Sequence, residues 1–551
     1  MKSLSLCLVI VLLPLLDAAA QQKSLPTPRL QKPAPNEKAQ AEPPEELTPA
    51  QEKEQPPAPG SAVEDLSRLK WDMAEKAPSV THHQISLSGK VLRYTATAGR
   101  MPIKDPAGSI EAEVFFVAYT LDDAEPRGRP LTFSFNGGPG SASVWLHMGA
   151  LGPRRVAMEK EGWMPDSPYR LLDNPATPLD RTDLVLIDAI GTGFSRPADM
   201  KKGKKFWGVK GDAQAFGEFI RLYLTRNQRW SSPLYLLGES YGTTRAAEVA
   251  SDLGDRGIAF KGIMLLSMVL DFETLMTTRR NDLAYVLTLP TYTMTALYHR
   301  KLPPDLMADM TRTRTEAVKW ATTEYAAALA RGDSLTEAER QNVIRQISRY
   351  TGLKPEIIDW ANLRIDVQTF THYLLSDQKL RVGRLDGRFS GPDPNGFMEP
   401  GLYDPAMNAV LAPITSVFND YIRTALKYET ELPYYTSAGQ LSPSPDFRFW
   451  KSWEWGSASE GFPDTATALR EAIIKNPFLK VLVMEGYYDL ATPFAAADYT
   501  IDHLDLPPQY RRNISYATYD SGHMVYLRSE SLIKFHADVA GFIDSTTARE
   551  R

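Results

Sequence analysis

The sequence predicts an α/β architecture: a mostly parallel central sheet, antiparallel strands on its N-terminal side, and an inserted helical cap. Three observations predict it. Short apolar runs recur along the chain, each closed by a small or polar residue. A segment with helical periodicity lies between two of those runs. From residue 273 to about 435 the alternation stops and helix signals replace it.

The first segment reads as an export signal. Lys2 gives the positive start, Leu4 to Leu16 the short apolar run, and Ala18-Ala19-Ala20 the small residues before a cut at Gln21. The run is too short to span a bilayer comfortably. The expected destination is the periplasm or the extracellular space. The single cysteine, Cys7, follows Leu6 inside that signal, too early for a lipid anchor. The exported chain is therefore expected to carry no disulfide, which suits a bacterial periplasmic protein. Residues 21–62, rich in Pro, Glu, Gln, Lys and Ala, cannot bury enough apolar surface to order and read as a disordered linker.

The 551 residues are too many for one ordinary core and call for one large domain with an insertion, or for two domains. Its expected parts are a core at 63–272, a cap at 273–435 and the rest of the core at 436–551. The chain is 43% hydrophobic and 23% charged, with a formal charge of -5. That balance fits a globular protein and gives no reason to expect nucleic acid or an anionic membrane as partner.

Ile85 to Thr97 and Glu111 to Leu121 partly alternate and carry β-branched and aromatic residues, as antiparallel strands do. Leu131–Phe135, Leu184–Ile187, Leu234–Leu237, Ile263–Leu266 and Val481–Met484 suit parallel strands buried on both faces. Asp212 to Asn227 places Ala213, Phe216, Ile220, Tyr223 and Leu224 on one helix face. Such alternation indicates a doubly wound sheet. In the inserted block, Pro303-Pro304 precede an expected helix at Asp305–Arg331. Thr336 with Glu339 forms a capping box for the next. Further helices are expected at Glu356–Trp360 and Tyr373–Asp377. Arg381, Arg384, Asp386 and Arg388 read as a solvated charged loop.

Gly238-Glu239-Ser240-Tyr241-Gly242 follows the run Leu234–Leu237 and precedes a helical stretch, Thr243 to Leu253. G-x-S-x-G between strand and helix is the setting of a nucleophile elbow and points to the α/β-hydrolase fold, with Ser240 as nucleophile. A serine needs a base and an orienting acid, and in this fold they follow in the order Ser, Asp, His. His523 in Ser521-Gly522-His523-Met524 and Asp489 in Gly486-Tyr487-Tyr488-Asp489 both lie on loops after strand-like runs. Asp183 and Asp188 precede the serine, Asp520 shares the loop of His523, and Asp498 and His503 do not directly follow a core strand. Asn136-Gly137-Gly138-Pro139-Gly140-Ser141 follows Leu131–Phe135 and can turn a backbone N–H towards an oxyanion. The N–H of Tyr241 is the expected second donor.

These segments resemble the serine carboxypeptidase family. The family's N-G-G-P-G-C/S is similar to residues 136–141, its L-G-P to Leu151-Gly152-Pro153, and its D-Q-P-x-G-x-G-F-S to Asp188 through Ser195. Its G-E-S-Y-G matches 238–242, and its Asp and His segments resemble Gly486-x-x-Asp489 and Gly522-His523-Met524-Val525. The resemblance implies the triad Ser240, Asp489 and His523, oxyanion donors at Gly138 and Tyr241, and capture of a substrate carboxylate by Asn136, the Gly137 backbone and a protonated Glu239. It implies a peptide substrate and no cofactor. Three departures stand out, the first being that the family's disulfides are absent. Ala150 replaces a second glutamate that pairs with Glu239's counterpart, which should weaken carboxylate capture and the preference for acid. Tyr526 replaces a proline after G-H-M-V. The same machinery could serve an esterase, another peptidase or an acyltransferase. A catalytically silent binding protein is the third reading, disfavoured by the intact serine, aspartate and histidine. No His, Cys and carboxylate cluster suggests a metal site.

Overall fold

The computed structural model describes residues 70–87, 89–393, 403–441, 449, 452–456 and 461–547. The expected signal at 1–20, with Cys7, and the linker at 21–62 lie outside them.

Alternating burial opens the sheet. β1 (Ser79–Leu87) hides every second residue near its end and pairs antiparallel with β2 (Lys90–Lys104), which pairs antiparallel with β3 (Ile110–Leu121). The expected strand Ile85–Thr97 is thus two strands. Gly89, at φ +79°, lies where they turn, a conformation glycine adopts without strain.

The next strands, all but the last, are buried on both faces, as their apolar runs foretold. They are β4 (Leu131–Phe135), β5 (Asp183–Ile187), β6 (Leu234–Glu239), β7 (Gly262–Leu266), β8 (Lys480–Gly486) and β9 (Ile514–Tyr519). The sheet order is β1-β2-β3-β5-β4-β6-β7-β8-β9, with a short tenth strand at Arg196–Pro197 beside β3. β3 meets β5 antiparallel, and every pairing from β5 to β9 is parallel. This is the α/β-hydrolase fold.

Neighbouring residues on a strand feed opposite layers. Leu236 and Leu265 join Phe216 of α1 (Val209–Arg226) and Val249 of α2 (Tyr241–Asp255) on one side. Leu237 and Met264 join Phe535 and Val539 of the C-terminal helix Ser529–Thr547 on the other.

Between β7 and β8 the chain is mainly helical, and this block has its own apolar cluster, including Leu289, Tyr292, Trp320, Ile347 and Phe370. The capping box of Thr336 and Glu339 is present. The expected helix 305–331 is broken instead. Asp309 caps a new start by accepting from Arg312 N, and a π-helical turn fills Ala321–Tyr325. The helix expected at Tyr373–Asp377 ends where it was to begin, running Val367–Tyr373. Two long helices went unread, Leu283–Tyr298 and Pro405–Thr424, each with an internal proline, Pro290 and Pro413. Among the described residues no helix is long and apolar enough to cross a membrane.

Candidate active site

The elbow at the end of β6 is built by backbone crowding. Ser240 has φ 62° and ψ −132°, a region that costs a non-glycine residue strain. A Cβ on Gly238 would lie 2.2 Å from Gly242 O, and one on Gly242 would lie 2.8 Å from Phe135 O. Both glycines of G-x-S-x-G are therefore steric requirements. Ser240 N donates to Leu266 O (2.9 Å), tying the elbow to β7. Tyr241 opens α2, so its N–H has no partner within the helix.

The glycine loop after β4 lies directly against the elbow. A Cβ on Gly137 would come within 2.5 Å of Tyr241 N, and Gly138 turns at φ +104°. Asn136 is anchored from both ends. Its Oδ1 accepts from Leu146 N (3.0 Å), and its carbonyl accepts from the guanidinium of Arg245 (2.6 Å). Arg245 is itself buried, paired with Asp212 at 2.7 Å.

His523 and Asp489 meet behind the cleft. His523 Nδ1 and Asp489 Oδ2 are 2.7 Å apart. Asp489 is wholly buried, and its other oxygen accepts from Ala491 N (2.8 Å) and Thr492 N (2.9 Å). Thr492 Oγ1 donates to Asp489 Oδ2 (2.6 Å). Burial pulls the His523 pKa down, but the charge and hydrogen bond of Asp489, then the charge of Glu239, leave it raised above its ordinary value. Asn136, Gly137, Gly138, Glu239, Ser240, Tyr241 and His523 all line one cleft of about 600 Å³. Among the described residues Ser240 Oγ makes no hydrogen bond, so the serine and imidazole share the cleft without a formed bond between them.

The rival residues sit in other networks. Asp183 pairs with Arg129 and Arg229, and Asp188 accepts from Ser143 N (2.8 Å). Asp520 pairs with Arg528. His503 is exposed and bonds to the carbonyl of Tyr499. Trp145 lines the cleft, whereas His147 is buried against Tyr119, 2.6 Å away.

Glu239, beside Ser240, is buried. Burial pushes its carboxyl up to about 7, against the opposing pull of His523, Tyr526 and Asn136. Tyr526 OH donates to Glu239 Oε2 (2.9 Å). Burial, followed by the charge of Glu239, raises the Tyr526 pKa well above its ordinary value and keeps the phenol neutral. A Cβ on Gly149 would lie 2.5 Å from the Tyr526 ring, so this residue needs the glycine beside Ala150. The sequence marked Tyr526 only as a departure; its polar tip within apolar Met524–Leu527 was the available signal. Thr492 carried no such signal.

The charged stretch 381–388 is not a solvated loop. Arg381, Asp386 and Arg388 are buried; Asp386 and Arg388 neutralise each other at 2.6 Å and bond to the His523 loop. Only Arg384 is exposed, and it lines the cleft.

Comparison with known proteins adds the following. A thermostable carboxyl esterase from Bacillus coagulans aligns at 11% identity over 82% of this chain and 99% of its own, with a TM-score of 0.33. A peroxisomal α/β-hydrolase from Saccharomyces cerevisiae aligns at 10% identity over 84% of this chain and 91% of its own, with a TM-score of 0.32. No curated protein matches the chain significantly. The fold assignment rests on strand order rather than on those alignments. The serine carboxypeptidase family model matches residues 95–374, a span that holds the glycine loop and the elbow but ends before Asp489 and His523. With just over half of its residues matched, the chain belongs to the serine carboxypeptidase family.

Proposed function

We propose that the protein is a serine-type carboxypeptidase that releases C-terminal residues from peptides. Ser240 Oγ attacks the scissile carbonyl while His523 Nε2 takes its proton. Asp489 holds the imidazole by Nδ1 and stabilises the imidazolium. The N–H groups of Gly138 and Tyr241 receive the oxyanion, and the N-terminus of α2 adds its dipole. His523 returns the proton to the leaving amine, and water then resolves the acyl-enzyme by the same base.

The observation that carries the carboxypeptidase reading over a general hydrolase is Glu239. It is a buried carboxyl beside Ser240, its pKa raised to about 7 so that about half of it is neutral at pH 7 and most of it below, and it accepts a hydrogen bond from the Tyr526 phenol. With Oε2 accepting from Tyr526, an acid proton on Oε1 is available to a substrate carboxylate, a strong charge-assisted bond. Asn136 and the Gly137 backbone complete the anion site. The helical block at 273–435 serves as a cap, supported by Leu275, Arg384, Leu385, Met407 and Leu411 in the cleft wall. The N-terminal pattern supports export to the periplasm or beyond.

A second reading, an ester or other acyl hydrolase, draws on Ala150, whose buried methyl offers no second carboxyl to the cleft. Cleavage of a blocked dipeptide acid, its C-terminal amide and its ester separates the two. A carboxypeptidase shows the higher kcat/KM on the free acid than on the amide, and Ser240→Ala loses at least ~10⁴-fold. Equal or better cleavage of the amide overturns the reading.

A further inference from the structure

Residues 384–388 run as a strap between the two loops that carry Asp489 and His523, and they bond to both in turn. Arg384 O accepts from Leu490 N (3.1 Å), and Leu385 O accepts from His523 N (2.7 Å). Asp386 Oδ2 accepts from Gly522 N (3.0 Å), and Gly387 N donates to Tyr488 O (2.9 Å). Arg388 Nη2 donates to Ser521 Oγ (3.1 Å). The fit is close: a Cβ on Gly522 would lie 2.4 Å from Asp386 Cγ.

The strap is in turn held by the helical block from which it comes. Asp404, which caps the helix Pro405–Thr424, accepts from Arg384 N (2.9 Å) and Leu385 N (3.0 Å) through Oδ2. His299, next to the helix Leu283–Tyr298, bonds to Gly387 O (2.7 Å). Asp386 and Arg388 expose only 3% of each side chain, and a buried pair of this kind is a poor source of net stability. Its geometry instead suits alignment, because a forked guanidinium and a carboxylate lock each other's direction.

We propose that Asp386 and Arg388 are positioning residues of the catalytic centre, fastening the His523 loop to the Asp489 loop so that the imidazole keeps its aim at Ser240. The proposal rests on the reading of Asp489 and His523 as the catalytic pair. Neither Asp386 nor Arg388 lines the cleft, so their loss acts on kcat through the alignment of His523. A displacement of about 1 Å in such a group costs on the order of 10²-fold in rate.

The test compares four enzymes with wild type: Asp386→Asn, the double variant Asp386→Asn with Arg388→Gln, Ser521→Ala and His523→Ala. Each is measured for kcat, KM, fluorophosphonate labelling rate and melting temperature. Asp386→Asn is expected to lower kcat and labelling by ~10–100-fold while KM moves less than about threefold. The double variant leaves no unpaired buried charge; its melting temperature recovers and its kcat stays low. Ser521→Ala removes one bond of the strap and lowers kcat several-fold without altering the melt, which keeps the test alive if Asp386→Asn does not fold. Full kcat in a folded Asp386→Asn, in the double variant or in Ser521→Ala overturns the strap while an inactive His523→Ala leaves the catalytic reading standing. A His523→Ala enzyme with wild-type rate overturns both.

Discussion

Replacing Glu239 by glutamine separates carboxylate capture from the chemistry of Ser240. The side chain keeps its shape and can still accept from Tyr526, but its amide donates at every pH. In the wild type the donor is a proton that leaves near pH 7. A single titration of that kind leaves about nine-tenths of the enzyme competent at about pH 6 and about one-tenth at about pH 8. KM for a blocked dipeptide acid should therefore rise by ~8–10-fold between those values, equivalent to ~1.3 kcal/mol. In Glu239→Gln the same KM should stay flat within about twofold. The dipeptide ester has no carboxylate to lose, so its KM stays flat in both enzymes. The acid limb of kcat reports His523, whose neighbours are Asp489, Glu239 and Arg384, and appears with acid and ester alike. Initial rates over the pH range give all of these quantities. A wild-type KM for the free acid that does not move, or an equal slope in Glu239→Gln, would refute the assignment of Glu239 as the proton-bearing donor.

Three further outcomes follow from the geometry. The charge of Arg384 lowers the His523 pKa, so Arg384→Gln should raise it and move the acid limb of kcat to higher pH; an unmoved limb argues that the guanidinium points elsewhere. Gly238→Ala would force a Cβ to 2.2 Å from Gly242 O, and chemical denaturation should show a loss of at least ~2 kcal/mol together with lost labelling of Ser240. Arg245→Met strands Asp212 and frees the Asn136 carbonyl; we expect a stability loss of ~3–5 kcal/mol by denaturant titration, and KM on the free acid should rise more than KM on the ester.

The sheet was legible because burial on both faces leaves unbroken apolar runs. Leu131–Phe135 matches its strand end to end, and the runs at 184, 234, 263 and 481 differ only at their edges. The elbow was legible because its glycines answer to sterics within one turn. The helix Leu283–Tyr298 was not, since it is apolar almost all round and carries Pro290, so neither periodicity nor breaker rules pointed to it. The strap was misread for another reason. Charge suggests solvent only until a partner is known, and the atoms that shelter Asp386, at Gly522, lie 136 residues away. Tyr526 shows the same limit: its hydroxyl is explained by Glu239, 287 residues earlier.

That distance has a consequence for biogenesis. The turn that carries Ser240 draws on strands β4 to β7, all encoded by residue 266, whereas His523 arrives on the loop after the last strand. Contacts near in sequence form early, and those that close long loops form late. In a growing chain every residue of the elbow and its strands is thus in place before His523 is added. On the proposed mechanism, a product truncated before residue 523 would carry the serine without its base and should not label with a fluorophosphonate.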